Sequence, residues 1–230
     1  MKRFYREAAA VEGTDGWHVA LDGRQVRTQG GKVLVLPNRA LAELLAGEWA
    51  AQGEEIDPRG FPMRDLADYA LDVVAQDPAA TVAALLRFAE TDTLCYRADP
   101  DEPLWKRQQE LWEPLLTACE AREGIHLRRV SGVMHRAQDE EALAAFKARL
   151  EAMDYLTLAG LTTLASLSTS LVVGLTALEP SADGEALWAA ANLEEDWQAD
   201  LWGRDWEAEE RRDKRKGDFL AAMAFAEAVS

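Results

Sequence analysis

The stretch Trp17-His18-Val19-Ala20-Leu21-Asp22-Gly23-Arg24-Gln25-Val26 decides the architecture. Trp17, Val19 and Leu21 alternate with His18 and Ala20, the two-residue period of a strand with one face on a core. Asp22-Gly23 then supplies a two-residue hairpin turn, because both residue types accept positive φ, and Val26 continues on the return strand. The alternation puts His18 on the face away from the core, as a surface histidine. Gly30-Gly31 marks another turn, and Val33-Leu34-Val35-Leu36 reads as a short buried strand stopped by Pro37. The front of the chain is therefore a small antiparallel sheet, assigned to a β-rich lobe over residues 1–60.

Helical signals take over outward from that sheet. Asn38 is an N-cap for a helix reaching Gln52, with Leu41, Leu44, Leu45 and Trp49 on one stripe and Gly53 past its end. A second helix is expected near 63–75, and Asp77-Pro78 starts a third that runs to Glu90. Pro103 opens a further helix carrying Trp105, Leu111, Trp112 and Leu115, which Pro114 should kink or interrupt. The span 125–134 reads as a late strand returning to the first sheet. Beyond Asp139 all is helical: 140–153, an uncharged pair meeting near Ser166-Leu167-Ser168, one helix over 183–202, and a charged helix over 205–228. Gly203 breaks the last two. The fold class is α+β, with the β-rich lobe followed by a larger, mainly helical lobe over 61–230.

Bulk properties narrow the function. The 230 residues hold 41 acidic and 25 basic side chains, a formal charge of −16. Such a surface repels phosphate backbones and anionic lipid, so nucleic acid is an unsuitable partner, while a basic patch on a protein partner suits it. Cys95 and Cys119 have neither CxxC spacing nor the density of a secreted scaffold and read as reduced thiols. The opening Met1-Lys2-Arg3-Phe4-Tyr5-Arg6-Glu7 has no apolar run behind it, so neither a secretory signal nor an organellar presequence is expected. Residues 155–178 carry no charge and are long enough to span a bilayer, but eight serines and threonines dilute them. A buried helix pair is the reading preferred over stable membrane insertion.

A search for chemistry finds little. His18, His126 and His135 have no metal-ligand spacing to one another or to cysteine, and the last two would lie on opposite faces of the late strand. No Walker loop, GxGxxG or GxSxG occurs. No cofactor or metal is called for. Carboxylate pairs such as Glu54-Glu55 and Glu194-Glu195 leave open a small-molecule enzyme using unassigned acids, and the uncharged pair leaves open a membrane-associated helical protein. Asp92 and Arg97 flank Cys95-Tyr96 and suggest a structural ion pair. The densest non-core signal is Leu193-Glu194-Glu195-Asp196-Trp197-Gln198 with Leu201-Trp202-Gly203-Arg204-Asp205-Trp206-Glu207. Trp202 and Trp206, one helical turn apart, would share a face among carboxylates, a pattern for docking protein. Core tryptophans beneath solvated acids are the competing reading.

Several separated blocks carry a family resemblance. They are Phe4-Tyr5, Leu21-Asp22-Gly23-Arg24, Leu36-Pro37, the run from Glu48-Trp49 to Asp57-Pro58, Pro62-Met63, the run from Glu90-Thr91-Asp92 to Arg97, Trp112-Glu113-Pro114-Leu115-Leu116, and Glu195, Gln198, Trp202-Gly203 and Asp205. In this order the chain resembles the Atp-twelve family, assembly chaperones of the F-type ATP synthase that bind its α subunit. The resemblance implies a chaperone rather than an enzyme, holding free α until β subunits displace it. Members of the family it resembles occur in mitochondria and in bacteria, and the missing presequence points here to a bacterial cytoplasmic setting. The partner-binding residues expected are Glu195, Gln198, Trp202, Asp205 and Glu207, on a chain expected to be a monomer. Departures from the family pattern are Thr28-Gln29-Gly30-Gly31 in place of a Thr-Pro, Arg64-Asp65 after Pro62-Met63, and Trp197 at a common phenylalanine position.

Overall fold

The structure, a computed structural model, describes residues 1–132, 136–203 and 205–230. Strands β1 (Ala8–Glu12), β2 (Trp17–Leu21) and β3 (Arg24–Gln25) are followed by helices α1 (Arg39–Ala50), α2 (Pro62–Asp72) and α3 (Pro78–Glu90). Strand β4 (Tyr96–Arg97), helix α4 (Pro103–Glu123) and strand β5 (Val130–Ser131) come next. Helices α5 (Glu140–Glu151), α6 (Tyr155–Ser168), α7 (Leu171–Ala177), α8 (Gly184–Ala191), α9 (Leu193–Trp202) and α10 (Trp206–Val229) complete the order. The fold is α+β, a small antiparallel sheet and a mainly helical remainder.

Two compact units emerge. The first is Met1–Pro78 with Asp154–Gly160 and Ala224–Ser230. Its sheet has the order β1-β2-β3, with Ala8 opposite Leu21 and Leu21 opposite Arg24. The turn between β2 and β3 holds Asp22 at φ 47° and Gly23 at φ 78°, the left-handed pair a two-residue hairpin demands. Helix α1 packs on β1 and β2. Asn38 caps it by accepting from the Leu41 N–H at 2.9 Å, and its own amide Nδ2 donates to the Ala228 carbonyl at 2.8 Å. Trp49 is buried, edge-on to Tyr5 at 5.6 Å and 4.5 Å from Phe61, and its carbonyl accepts the Tyr5 hydroxyl at 2.6 Å. Glu48 caps α2, accepting from the Met63 and Arg64 N–H groups, and burial pushes its carboxyl up to about 6 against those hydrogen bonds.

Two expectations fail in this unit. His18 is buried, not on the surface: its Nδ1 lies 3.1 Å from the Leu34 carbonyl and its Nε2 2.8 Å from Asp15. Central strand β2 is covered on both faces, so the alternation never separated core from solvent. Residues 33–36 make only single bridges, Arg27 to Val33 and Trp17 to Leu36, rather than a strand.

The second unit is Ala79–Met153 with Leu161–Met223. Helix α4 packs on α7 and α9 and carries the fully buried Trp112, whose Nε1–H donates to the Ala190 carbonyl at 2.7 Å. Pro114 does not interrupt α4. It sits on the exposed side, and Glu110, whose carbonyl the missing N–H leaves without a helical donor, is exposed as well. Among the described residues the late strand is Val130–Ser131, which pairs in parallel with β4 and not with the first sheet, while positions 133 and 134 of the expected strand lie outside the described residues. His126 lies in the loop before it, 3.0 Å from Glu120, and His135 lies outside the described residues.

The uncharged pair is two helices, as expected, parted where Thr169 takes φ 50° and Ser170 caps α7. Among the described residues, no helix is long and apolar enough to cross a membrane. Asp92 is buried at this joint and accepts from the Ser170 hydroxyl at 2.7 Å and the Val172 and Leu94 N–H groups at 2.9 and 3.0 Å. It is no ion-pair partner of Arg97, which binds Glu113 at 3.0 Å instead. Burial drives both thiols, Cys95 and Cys119, up to about 12, which leaves them unreactive.

Candidate functional site

The expected single helix over 183–202 is two helices, α8 and α9, parted at Asn192. The Asn192 N–H and Nδ2 both donate to the Trp188 carbonyl, at 3.1 and 2.9 Å, and close the first helix without glycine or proline. Helix α9 then begins with Glu194, Glu195 and Asp196 in its first turn, where carboxylates favour the positive end of the helix dipole. Gly203 ends it at φ 93°, a conformation open to glycine, and its N–H donates to Ala199. Asp205 caps α10, its carbonyl accepting from the Glu209 N–H at 3.0 Å.

Trp202 and Trp206 therefore belong to different helices and share no helical face, because Gly203 and Asp205 leave the helix between them. The core reading fails for both: Trp202 is 83 % exposed, Trp206 70 %, and neighbouring Leu201 63 %. Three large apolar side chains within six residues present on the order of 400 Å² of surface to water. Buried partners do exist nearby, but they are Trp188 and Phe219, 5.6 Å apart.

Arginines on α10 clamp it to α9. Arg212 binds Asp196 at 2.5 Å, and Arg215 lies 3.7 Å from Glu195 while donating to the Leu167 carbonyl and covering the Trp188 ring. Between the two helices is a concavity of about 160 Å³, bordered by the carboxylates Glu195, Asp196, Asp205 and Glu209, with Arg212 the one cation lining it among the described residues. The structure thus brings Glu195 and Asp205 to one hollow. Gln198, Trp202 and Glu207 are exposed but lie outside that lining, Glu207 meeting Arg211 at 3.8 Å. Glu194 turns inward, takes the Gln108 amide at 2.8 Å, and has its carboxyl raised by burial. Arg212, Arg215 and Leu201 were missed by the sequence reading. The arginine spacing along α10 offered a signal, but their acidic partners lie 16 to 20 residues away.

Among the described residues no group of three or more histidine, cysteine or acidic side chains is placed to hold a metal. What the hollow and its surroundings offer is negative charge beside exposed aromatic surface.

Residues 2–120 match the family described as ATP12 chaperone protein. The chain belongs to the ATP12 chaperone family. The ATP12 match covers the sheet, α1 to α3 and most of α4, and the α9–α10 hollow lies beyond it. The chain is 25 % identical to the mitochondrial protein atp12 of Schizosaccharomyces pombe, over 97 % of this chain and 81 % of that one. A solved structure of a candidate chaperone from Agrobacterium tumefaciens is 40 % identical, with a TM-score of 0.95 over all of this chain and 86 % of its own. Atp12 from Paracoccus denitrificans is 34 % identical, TM-score 0.93, over all of this chain and 98 % of its own, and an aspartate-to-lysine variant of it matches equally. As an ATP12 family member the chain is an ATP synthase assembly chaperone and not an enzyme.

Proposed function

We propose that the chain holds the free α subunit of the F-type ATP synthase until β subunits displace it, and that it docks α through Glu195, Gln198, Trp202, Asp205 and Glu207. The observation that carries the site is the exposure of Trp202 and Trp206 beside the acidic hollow of α9 and α10. An unassembled subunit of an alternating ring exposes apolar interface that aggregates before its neighbour arrives. Covering about 400 Å² on the chaperone side yields roughly 10 kcal/mol gross, of the same order as the cost of association, so the hold is firm but reversible. The carboxylates add encounter rate and select a basic patch on the partner. The bacterial sources of the solved relatives support a bacterial cytoplasmic setting, and a monomer leaves the Trp202 and Trp206 surface free for the partner.

The test is capture of partners from native lysate by tagged protein, wild type against Glu195→Lys/Asp205→Lys. The reading expects the ATP synthase α subunit without stoichiometric β, and loss of capture in the double variant with an unchanged circular dichroism spectrum. Undiminished capture by the folded variant removes the site. Failure to capture α when free α is abundant removes the partner.

A further inference from the structure

A second concavity, about 590 Å³, lies wholly within the first unit. Its apolar lining is Tyr5, Leu21, Val26 and Trp49, and Phe4, 64 % exposed, also borders it. Polar groups complete it, and their pairing is unequal. Asp22 accepts from the Arg6 and Glu7 N–H groups at 3.0 and 2.9 Å, and Asp68 accepts from the Gln29 N–H at 3.3 Å. Arg64 binds Asp65 at 2.6 Å and stacks on Phe61 at 4.2 Å. Arg24 and Arg27 are exposed, and among the described residues neither guanidinium meets a carboxylate; Arg27 donates only to the Gly31 carbonyl.

In a chain of net charge −16, Arg24, Arg27 and Arg64 against Asp22 and Asp68 leave this lining net positive. Two further atoms lack partners among the described residues, the Trp49 indole N–H and Asp68 Oδ1, both on lining residues. An entering peptide unit brings one acceptor and one donor, which is what these two atoms lack. The volume suits a bulky apolar side chain and its neighbours, and the chain has no glycine-rich phosphate loop to suggest a nucleotide.

We propose that this concavity docks an extended segment of a protein partner in which a bulky apolar side chain is followed at once by carboxylates. The apolar group enters against Tyr5, Leu21, Val26 and Trp49, and the carboxylates meet Arg24 and Arg27, where fork geometry favours them. The site is separate from the α9–α10 hollow and opposite to it in charge, so it stands whatever the hollow binds.

Fluorescence anisotropy with the full chain tests it, using labelled octapeptides that carry Leu-Phe-Glu-Asp or Leu-Phe-Lys-Lys between Gly-Ser ends. Saturable binding of the first and none of the second is expected. Arg24→Glu, at a side chain with no partner to lose, and Phe4→Ala should each weaken it at least tenfold with an unchanged melting temperature. Arg87→Glu, an equal charge change on α3, should bind as wild type does. Absence of saturable binding, binding indifferent to both Arg24→Glu and Phe4→Ala, or displacement of the peptide by micromolar ATP overturns the proposal.

Discussion

Replacing Asp92 by alanine removes one carboxylate and strands three donors at the joint between α6 and α7. The Ser170 hydroxyl and the Val172 and Leu94 N–H groups all point at it, in a site closed to water. Each buried donor left without an acceptor costs about 1–3 kcal/mol. Against that stands relief of the charge itself. Burial outweighs the hydrogen bonds and raises the carboxyl to about 6 from the ordinary aspartate value of 3.8, a penalty of about 3 kcal/mol at neutral pH. At about 2 kcal/mol per donor the three cost about 6 kcal/mol together, so the net loss expected for Asp92→Ala is about 3 kcal/mol at pH 7. The sign of the pH effect follows from the raised value. The folded state binds the Asp92 proton more tightly than the unfolded chain, so its contribution is complete below about pH 4 and is lost as pH rises through 6. Between pH 7 and pH 5 the wild type should gain about 1 kcal/mol from this group, and Asp92→Ala should lack that increment. Urea unfolding of both proteins at pH 5, 6 and 7 reads both quantities. A variant within 0.5 kcal/mol (about measurement error) of wild type at pH 7, with the same pH slope, refutes the account of the joint.

Trp49→Ala should cost about 3–5 kcal/mol through the cavity left against Tyr5 and Phe61, and an unaltered melting temperature would contradict its place in the core. Trp202→Ala should leave stability within about 0.5 kcal/mol, given its exposure, yet weaken capture of the α subunit by tenfold or more; equal capture by titration on immobilised α would argue against the aromatic anchor. Gly203→Ala forces a side chain to φ 93° and should cost about 1–2 kcal/mol, read by thermal melting, with no steric clash to add because nothing lies within 4 Å of the new Cβ.

What the sequence disclosed was local. Asp22-Gly23, Asn38, Pro103 and Gly203 each encode a backbone conformation within a residue or two, and each marks a turn or helix end in the structure. What it hid was pairing at a distance. Asp92 and Arg97 are near neighbours in sequence, yet their partners are Ser170 and Glu113, because the chain folds β4 against α4 and a 3₁₀ turn against α7. His18 is buried for the same reason: Leu34 and Asp15 serve its ring, and Gly13 leaves room beside it, a Cβ there lying 2.7 Å from the imidazole. At the candidate site the acids and tryptophans were legible as composition. Their division between two helices turned on Gly203, read correctly as a break, while the break at Asn192 had no glycine or proline to announce it.

The hydrogen bond from Asn38 to the Ala228 carbonyl joins residues 190 apart in sequence. A ribosome adding about 5–20 residues per second takes roughly 10–40 s between exposing the cap of α1 and delivering the residue that completes it. Throughout that interval the sheet and α1 can form, but the unit they belong to lacks its final segment. Its sheet and first helix therefore wait, open on one side, for a segment made long after them, and the unit closes only once residues 224–230 are available.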